Sequence, residues 1–178
     1  MTKLQWLGVG SGLNVSLSNT SFFLQSSGPR VLLIDCGFTV PAALHEVRRL
    51  PRFTDILITP LLADHIGGMD TFAFEQYHVH GRRGDTRPVL HVPSDEMAHD
   101  LWEHSLRAGM QHCGNESSPS FIATLDEYFD VRTGTSVRVD GLPGATLAPT
   151  RHVPNMENYS IRFDNGVYYS GDSSDLHP

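Results

Sequence analysis

From Lys3 to Val9 and again from Asn14 to Gln25 the chain is rich in apolar, β-branched and aromatic residues, with Gly10-Ser11-Gly12 between the runs. The spacing predicts a β-hairpin. After a turn at Ser26-Ser27-Gly28-Pro29, Val31 to Asp35 is a short unbroken apolar run, the pattern of a buried strand, closed by Cys36-Gly37. Pro41 to Leu50 sets Ala42, Leu44, Val47 and Leu50 at helical spacing, with Arg48 and Arg49 in the last turn and Pro51 as the stop. Asp55 to Thr59 reads as a second buried strand. A loop, Pro60 to Ala63, leads into a helical stretch from Asp64 to about Tyr77.

Val89 to Val92 returns as a strand. Ser94 to about Met110 reads as a helix capped by Ser94, with Met97, Leu101, Trp102 and Leu106 inward. Cys113 to Ser120 is a polar loop, and Val137 to Asp140, Thr146 to Ala148, Tyr159 to Phe163 and Val167 to Ser170 form a second run of strands. Phe22, Phe23, Phe72 and Phe74 are expected in the core. Strands first, helices between, then strands again describe a single α/β layered domain. A dinucleotide fold is excluded in detail: the stretch after Gly8-Val9-Gly10-Ser11-Gly12 is strand-like where a phosphate-binding helix should begin.

The 178 residues, 39% hydrophobic and 19% charged, suffice for one buried core and rule out collagen, coiled coil and a membrane span. A net charge of −7 sets the overall field against nucleic acid and anionic membrane. Cys36 and Cys113 are too few for a disulfide framework, and the start lacks a basic stretch followed by an apolar one; a cytoplasmic location is expected.

Four groups stand at predicted strand ends: Asp64 and His65, then His152, then Asp172. Carboxylates and imidazoles brought together are ligands suited to zinc or another divalent ion. Taken singly, Asp64 reads equally as a helix cap, His65 as a partly buried ring and Asp172 as a turn residue. Arg82, Arg83 and Arg87 decorate a loop and read as solvated. His78, His80 and His91 read as surface histidines. Cys113 beside His112 lacks a third group to orient a nucleophile.

The order Ala63-Asp64-His65-Ile66-Gly67-Gly68, then His152, then Ser170-Gly171-Asp172-Ser173 resembles the metallo-β-lactamase superfamily. The stretches Leu101 to Met110, Leu125 to Val131 and His152 to Ile161 look most like the branch holding RNase Z and the phage anti-Pycsar cyclic-nucleotide phosphodiesterases. The resemblance implies an αββα sandwich, here shortened at the C-terminus, without the family's last strands and helix. It also implies a metal-dependent hydrolase of phosphodiesters. The family ligand motif His-x-His-x-Asp-His places Asp64 and His65 in register but puts Pro60 and Leu62 at the first two histidines, and neither can bind metal. One family metal site is therefore expected to be lost. The other is left with Asp64, His65 and Asp172, with His152 close by, and His177 is a poor positional substitute for the later family histidine.

The resemblance thus implies at most one ion, zinc or manganese, or none. Asp64 is expected to orient water and His152 to contact the leaving oxygen, while Glu157 and Asn158 approach the site mouth and contact substrate. The substrate is expected to be a small (cyclic) nucleotide rather than a long polyanion; lactone, thioester or β-lactam hydrolysis stays open. Exposed apolar sheet surface or an open strand edge would favour a homodimer. The rival reading is a catalytically degenerate relative that binds a nucleotide or a partner protein through the old cleft, and a third is an incomplete product with no function of its own.

Overall fold

A computed structural model of the chain describes residues 1–47, 53–115 and 118–174. Its larger sheet has six strands in the order β1-β2-β3-β4-β5-β8. These are β1 Lys3–Gly8, β2 Ser21–Gln25, β3 Val31–Ile34, β4 Asp55–Leu57, β5 Val89–Val92 and β8 Asp130–Thr133. The first three pair antiparallel, and β3, β4, β5 and β8 run parallel. The smaller sheet is antiparallel, with β9 Ser136–Val137, β10 Ala145–Pro149, β11 Tyr159–Phe163 and β12 Tyr168–Tyr169 in the order β12-β11-β10-β9.

Side-chain alternation along β2 separates the two faces of the larger sheet. Phe23 points to one face, where its ring meets Phe53, which meets Phe72 of α3 (Met69–Phe74), which stacks with Phe129. Phe22 points to the other, where its ring lies 5.2 Å from Tyr169 of the smaller sheet. One face thus packs on helices and the other on a second sheet. Phe22, Phe23 and Phe72 are fully buried, as expected, and Phe74 packs partly buried against them.

The amphipathic stretch after Ser94 forms α4 (Asp95–Leu101), a π-helical turn (102–106) and α5 (Arg107–Met110), and the Ser94 hydroxyl accepts from the Met97 amide at 3.0 Å as an N-cap. Met97, Leu101, Trp102 and Leu106 all face the core. The first helix, α1 (Val40–Glu46), carries its Pro at the start; Arg48, Arg49, Leu50 and Pro51 lie outside the described residues. The helix expected from Asp64 to Tyr77 is broken into α2 (Ala63–Ile66), α3 and a π-helical turn.

Two expectations are corrected, and one strand was not foreseen. The strand expected from Asn14 starts only at Ser21: Val15–Leu17 is a 3₁₀ turn that folds back on Val9 and Gly10 through backbone hydrogen bonds, leaving Leu13 98% exposed. Its β-branched composition lacks a neighbouring strand to pair with. The polar segment after His112 is a hairpin, β6 His112–Asn115 with β7 Ser118–Ile122, because Cys113 is buried against Tyr128 and pins it. The strand not foreseen is β8, which follows α6 (Leu125–Tyr128) and forms the edge of the larger sheet, its pattern concealed by polar residues such as Arg132 and Thr133. Both cysteines are free and buried, and burial pushes the Cys36 thiol far up, so it is an inert core residue.

On β1 the residues Leu4 and Trp6 pair with Leu24 and Phe22, so they share the inter-sheet face, yet Trp6 is 48% exposed. The expected apolar surface on an open strand edge is present there.

Candidate functional site

The parallel strands converge their C-terminal ends on one place. Asp35 follows β3 in a left-handed backbone conformation, φ 58°, which Asp tolerates better than most residues. Its carboxylate is fully buried. Oδ1 accepts from the Thr59 amide at 2.8 Å, and Oδ2 from the Thr59 hydroxyl at 2.7 Å, the His65 Nδ1 at 2.9 Å and, more weakly, the Tyr169 hydroxyl at 3.4 Å. One side chain therefore joins the end of β3, the end of β4, helix α2 and the smaller sheet.

Helix α2 presses directly onto the segment after β3. The Cys36 amide donates to the His65 carbonyl at 2.7 Å, and the Gly68 amide to Cys36 at 2.8 Å. A Cβ on Gly37 would lie 1.9 Å from the Asp64 carbonyl oxygen, so only glycine permits this approach. The Gly12 backbone approaches Asp64 less tightly: a Cβ there would meet the Asp64 side chain, Oδ2, at 2.9 Å. Gly171, at φ 56°, turns the chain after β12 and delivers Asp172. Ser174 fastens this segment to the loop after β10, its amide and hydroxyl both donating to the Arg151 carbonyl at 2.7 and 2.6 Å. That bond brings His152 beside Asp172.

The result is a convergent set. His65 Nε2 lies 3.1 Å from Asp172 Oδ2 and 3.7 Å from Asp64 Oδ2, and His152 Nε2 lies 3.5 Å from the same Asp172 oxygen. One donor atom each from Asp64, His65 and Asp172 falls within 4.8 Å of the others. Burial alone would lower the pKa of His65, but the charge of Asp35 and the hydrogen bonds to Asp172 and Asp35 raise it to about 10. The hydrogen bond from His65 holds Asp172 below the usual carboxylate range against the opposing effect of burial.

These residues fit a divalent ion. Two carboxylates and one imidazole are a donor set for it, and the imidazole is held through Nδ1 by a buried carboxylate so that Nε2 faces the other donors, the usual support of a metal-ligating histidine. Among the described residues, positions 60 and 62 add no donor side chain to this set: Pro60 is buried, and Leu62 caps α2 with its carbonyl, accepting from the amides of His65 and Ile66. His177 lies outside the described residues.

Both oxygens of Glu157 are engaged, one accepting from Ser94 Oγ at 2.9 Å and the other from the Tyr159 hydroxyl. Asn158 is 3% exposed and donates to Thr150 Oγ1 at 2.6 Å. Glu157 thereby ties the loop carrying His152 to the N-terminus of α4, and Asn158 ties it to the end of β10. The Asp35 carboxylate escaped sequence reading as a site residue because it reads as the end of the apolar run Val31 to Ile34. A carboxylate directly before Cys36-Gly37, at the end of a buried strand, was the available signal.

Elsewhere, His91 is buried rather than surface, its Nε2 2.9 Å from Asp55 Oδ1, whereas His78 and His80 are exposed. Arg82 and Arg87 line a cleft of about 930 Å³ at the opposite, N-terminal ends of the parallel strands; Arg82 braces its own loop through Thr86 and Gln76. Arg83 lies over the Tyr77 ring.

Two sheets face to face, with helices on the outer side of the larger one and a His/Asp cluster at its strand ends, define a metallo-β-lactamase fold. The solved structures agree: the metallo-β-lactamase fold protein YhfI from Bacillus subtilis superposes with a TM-score of 0.69 at 15% identity, covering 96% of this chain and 62% of that one. Human tRNase Z, short form, gives 0.62 at 14% identity over 94% of this chain and 66% of that one. Within the fold, the family model for anti-Pycsar protein Apyc1 matches residues 2–177, and the chain belongs to that family. It is 34% identical over 173 residues to the anti-Pycsar protein Apyc1 of Paenibacillus harenae, covering 95% of this chain. The chain spans 66% of that relative's length. The resemblance read from Asp64-His65, His152 and Asp172 is thus borne out at the level of family and fold. Among the described residues no helix is long and apolar enough to cross a membrane.

Proposed function

We infer that the chain carries the site of a hydrolase that opens a phosphodiester bond of a small, cyclic nucleotide, using one divalent ion held by Asp64, His65 and Asp172. The observation that carries this reading is the convergence of those three side chains on one point, with His65 pre-oriented by Asp35. Family membership supports the substrate class, and the net charge of −7 favours a small anion over a long one. When bound, the ion, zinc or manganese, supplies charge neutralisation at the phosphoryl oxygens and lowers the pKa of water.

The protein's own groups carry the protons. Asp64 stands partly exposed at the cluster, positioned to accept the proton of an attacking water. His152, beside Asp172, donates to the oxygen that leaves phosphorus as the P–O bond breaks, yielding a linear monophosphate. Glu157 serves by holding the His152 loop against α4, and Asn158 by fixing that loop's return into β11.

Pro60 and Leu62 favour a second reading, a metal-poor relative that binds the nucleotide without turning it over. Incubation with 3′,5′-cyclic nucleotides in zinc or manganese, followed by chromatography for the linear monophosphate, separates the two. Turnover abolished by Asp172→Ala supports the hydrolase. Saturable nucleotide binding without product, in a folded sample that takes up no metal, overturns it in favour of the binding module.

A further inference from the structure

The long helix after β5 carries a feature that the site above does not use. His99, Asp100 and His104 lie on its solvent side, and one donor atom from each falls within 4.8 Å of the others. The Asp100 Oδ1 atom sits between the rings, 3.2 Å from His99 Nδ1 and 3.7 Å from His104 Nε2. The ring centroids are 6.2 Å apart.

Regular helix geometry would not do this. At 3.6 residues per turn, positions five apart point about 140° away from each other. Here the helix passes through a π-helical turn over residues 102–106, closed by the Arg107 amide on the Trp102 carbonyl, and the wider winding brings position 104 back toward position 99. The same turn keeps Trp102 and Leu106 in the core. The outward face therefore gains a paired-imidazole arrangement while the inward face stays packed.

The spacing suits a shared ion. Two donors each about 2.0–2.2 Å from zinc, at a tetrahedral angle, lie roughly 3.3–3.6 Å apart, and the two distances to Asp100 bracket that range. Two imidazoles and a carboxylate are borderline donors that select a divalent transition metal over magnesium or calcium. We propose that His99, Asp100 and His104 form a second metal site, binding one zinc-class ion on the surface of α4, separate from the Asp64–His65–Asp172 cluster. With three protein donors and open solvent beyond, it keeps at least one coordination position for water or an outside ligand.

The test is zinc content after equilibrium dialysis of the untagged full chain against Zn²⁺, in the Asp172→Ala background that disables the central cluster. One equivalent is expected to remain and to be lost in Asp172→Ala/His99→Ala/His104→Ala. Both histidines are exposed, so the two chains should melt at the same temperature without metal. Zinc should also shift the ¹⁵N ring resonances of His99 and His104. Retention of the equivalent after the histidines are removed, or no zinc in the Asp172→Ala chain with both rings unmoved, overturns the proposal.

Discussion

Replacing Asp35 by Asn tests the architecture of the centre with the least geometric change. The side chain keeps its size, and Asn tolerates the left-handed backbone at this position as well as Asp does. Its hydrogen bonds, however, can no longer all be made. The Thr59 amide at 2.8 Å can only donate, so the Asn oxygen must stay there and the new NH₂ must face the former partners of Oδ2. The Thr59 hydroxyl can reverse and accept. His65 Nδ1 must then give up its proton, and the one proton left on the ring sits on Nε2, the nitrogen that faces Asp64 and Asp172. A protonated Nε2 has no lone pair for a metal.

The magnitude follows from burial. Asp35 and His65 are 0% and 1% exposed, so the change breaks a desolvated ion pair, for which about 3–5 kcal/mol is typical. Retention of the Thr59 bonds returns part of this, leaving roughly 2–4 kcal/mol. Metal affinity is expected to fall at least 10- to 100-fold, the range for losing such a supporting carboxylate. Urea unfolding gives the first quantity, zinc titration the second, and ¹⁵N shifts of the His65 ring give the tautomer. An Asp35→Asn protein that binds zinc as tightly as the parent, with His65 Nδ1 still carrying its proton, would refute the reasoning.

Pro60→His with Leu62→His is expected to raise the metal content at the central site from one ion to two by elemental analysis, since the loop between β4 and α2 already holds Asp64 and His65 in place. Gly37→Ala should cost at least about 2 kcal/mol in urea unfolding, because a Cβ at 1.9 Å from the Asp64 carbonyl forces backbone apart in a packed region. His91→Ala should cost about 1–3 kcal/mol by removing the partner of Asp55 Oδ1 while Thr54 and Arg30 remain on Oδ2, and Asp55→Asn/His91→Gln should recover part of that loss. Glu157→Ala, which frees the His152 loop from Ser94 and Tyr159, is expected to lower turnover at least tenfold while zinc content stays unchanged.

The plainest strands in sequence were those buried on both faces, Val31 to Ile34, Asp55 to Leu57 and Val89 to Val92, and the runs that became β1, β10, β11 and β12 were legible as well. Failures fell where composition and environment part company. Val15 and Leu17 are strand-formers without a neighbouring strand, and Arg132 and Thr133 are polar because β8 is an edge. His91 looked like a surface residue because no local pattern announces a partner such as Asp55, 36 residues away.

By itself the sequence determined the layered α/β class, the buried parallel strands and the capped helix after Ser94, and it singled out Asp64, His65, His152 and Asp172, which the fold brings together. It also determined that Pro60 and Leu62 cannot ligate. Only the tertiary structure decided that Asp35 orients His65, that Glu157 and Asn158 hold the His152 loop, and that a π-helical turn pairs His99 with His104. The division has a physical cause: hydrophobic periodicity is local and written along the chain, whereas a hydrogen-bond network depends on which strand ends meet, and that is fixed only when the sheets close on one another.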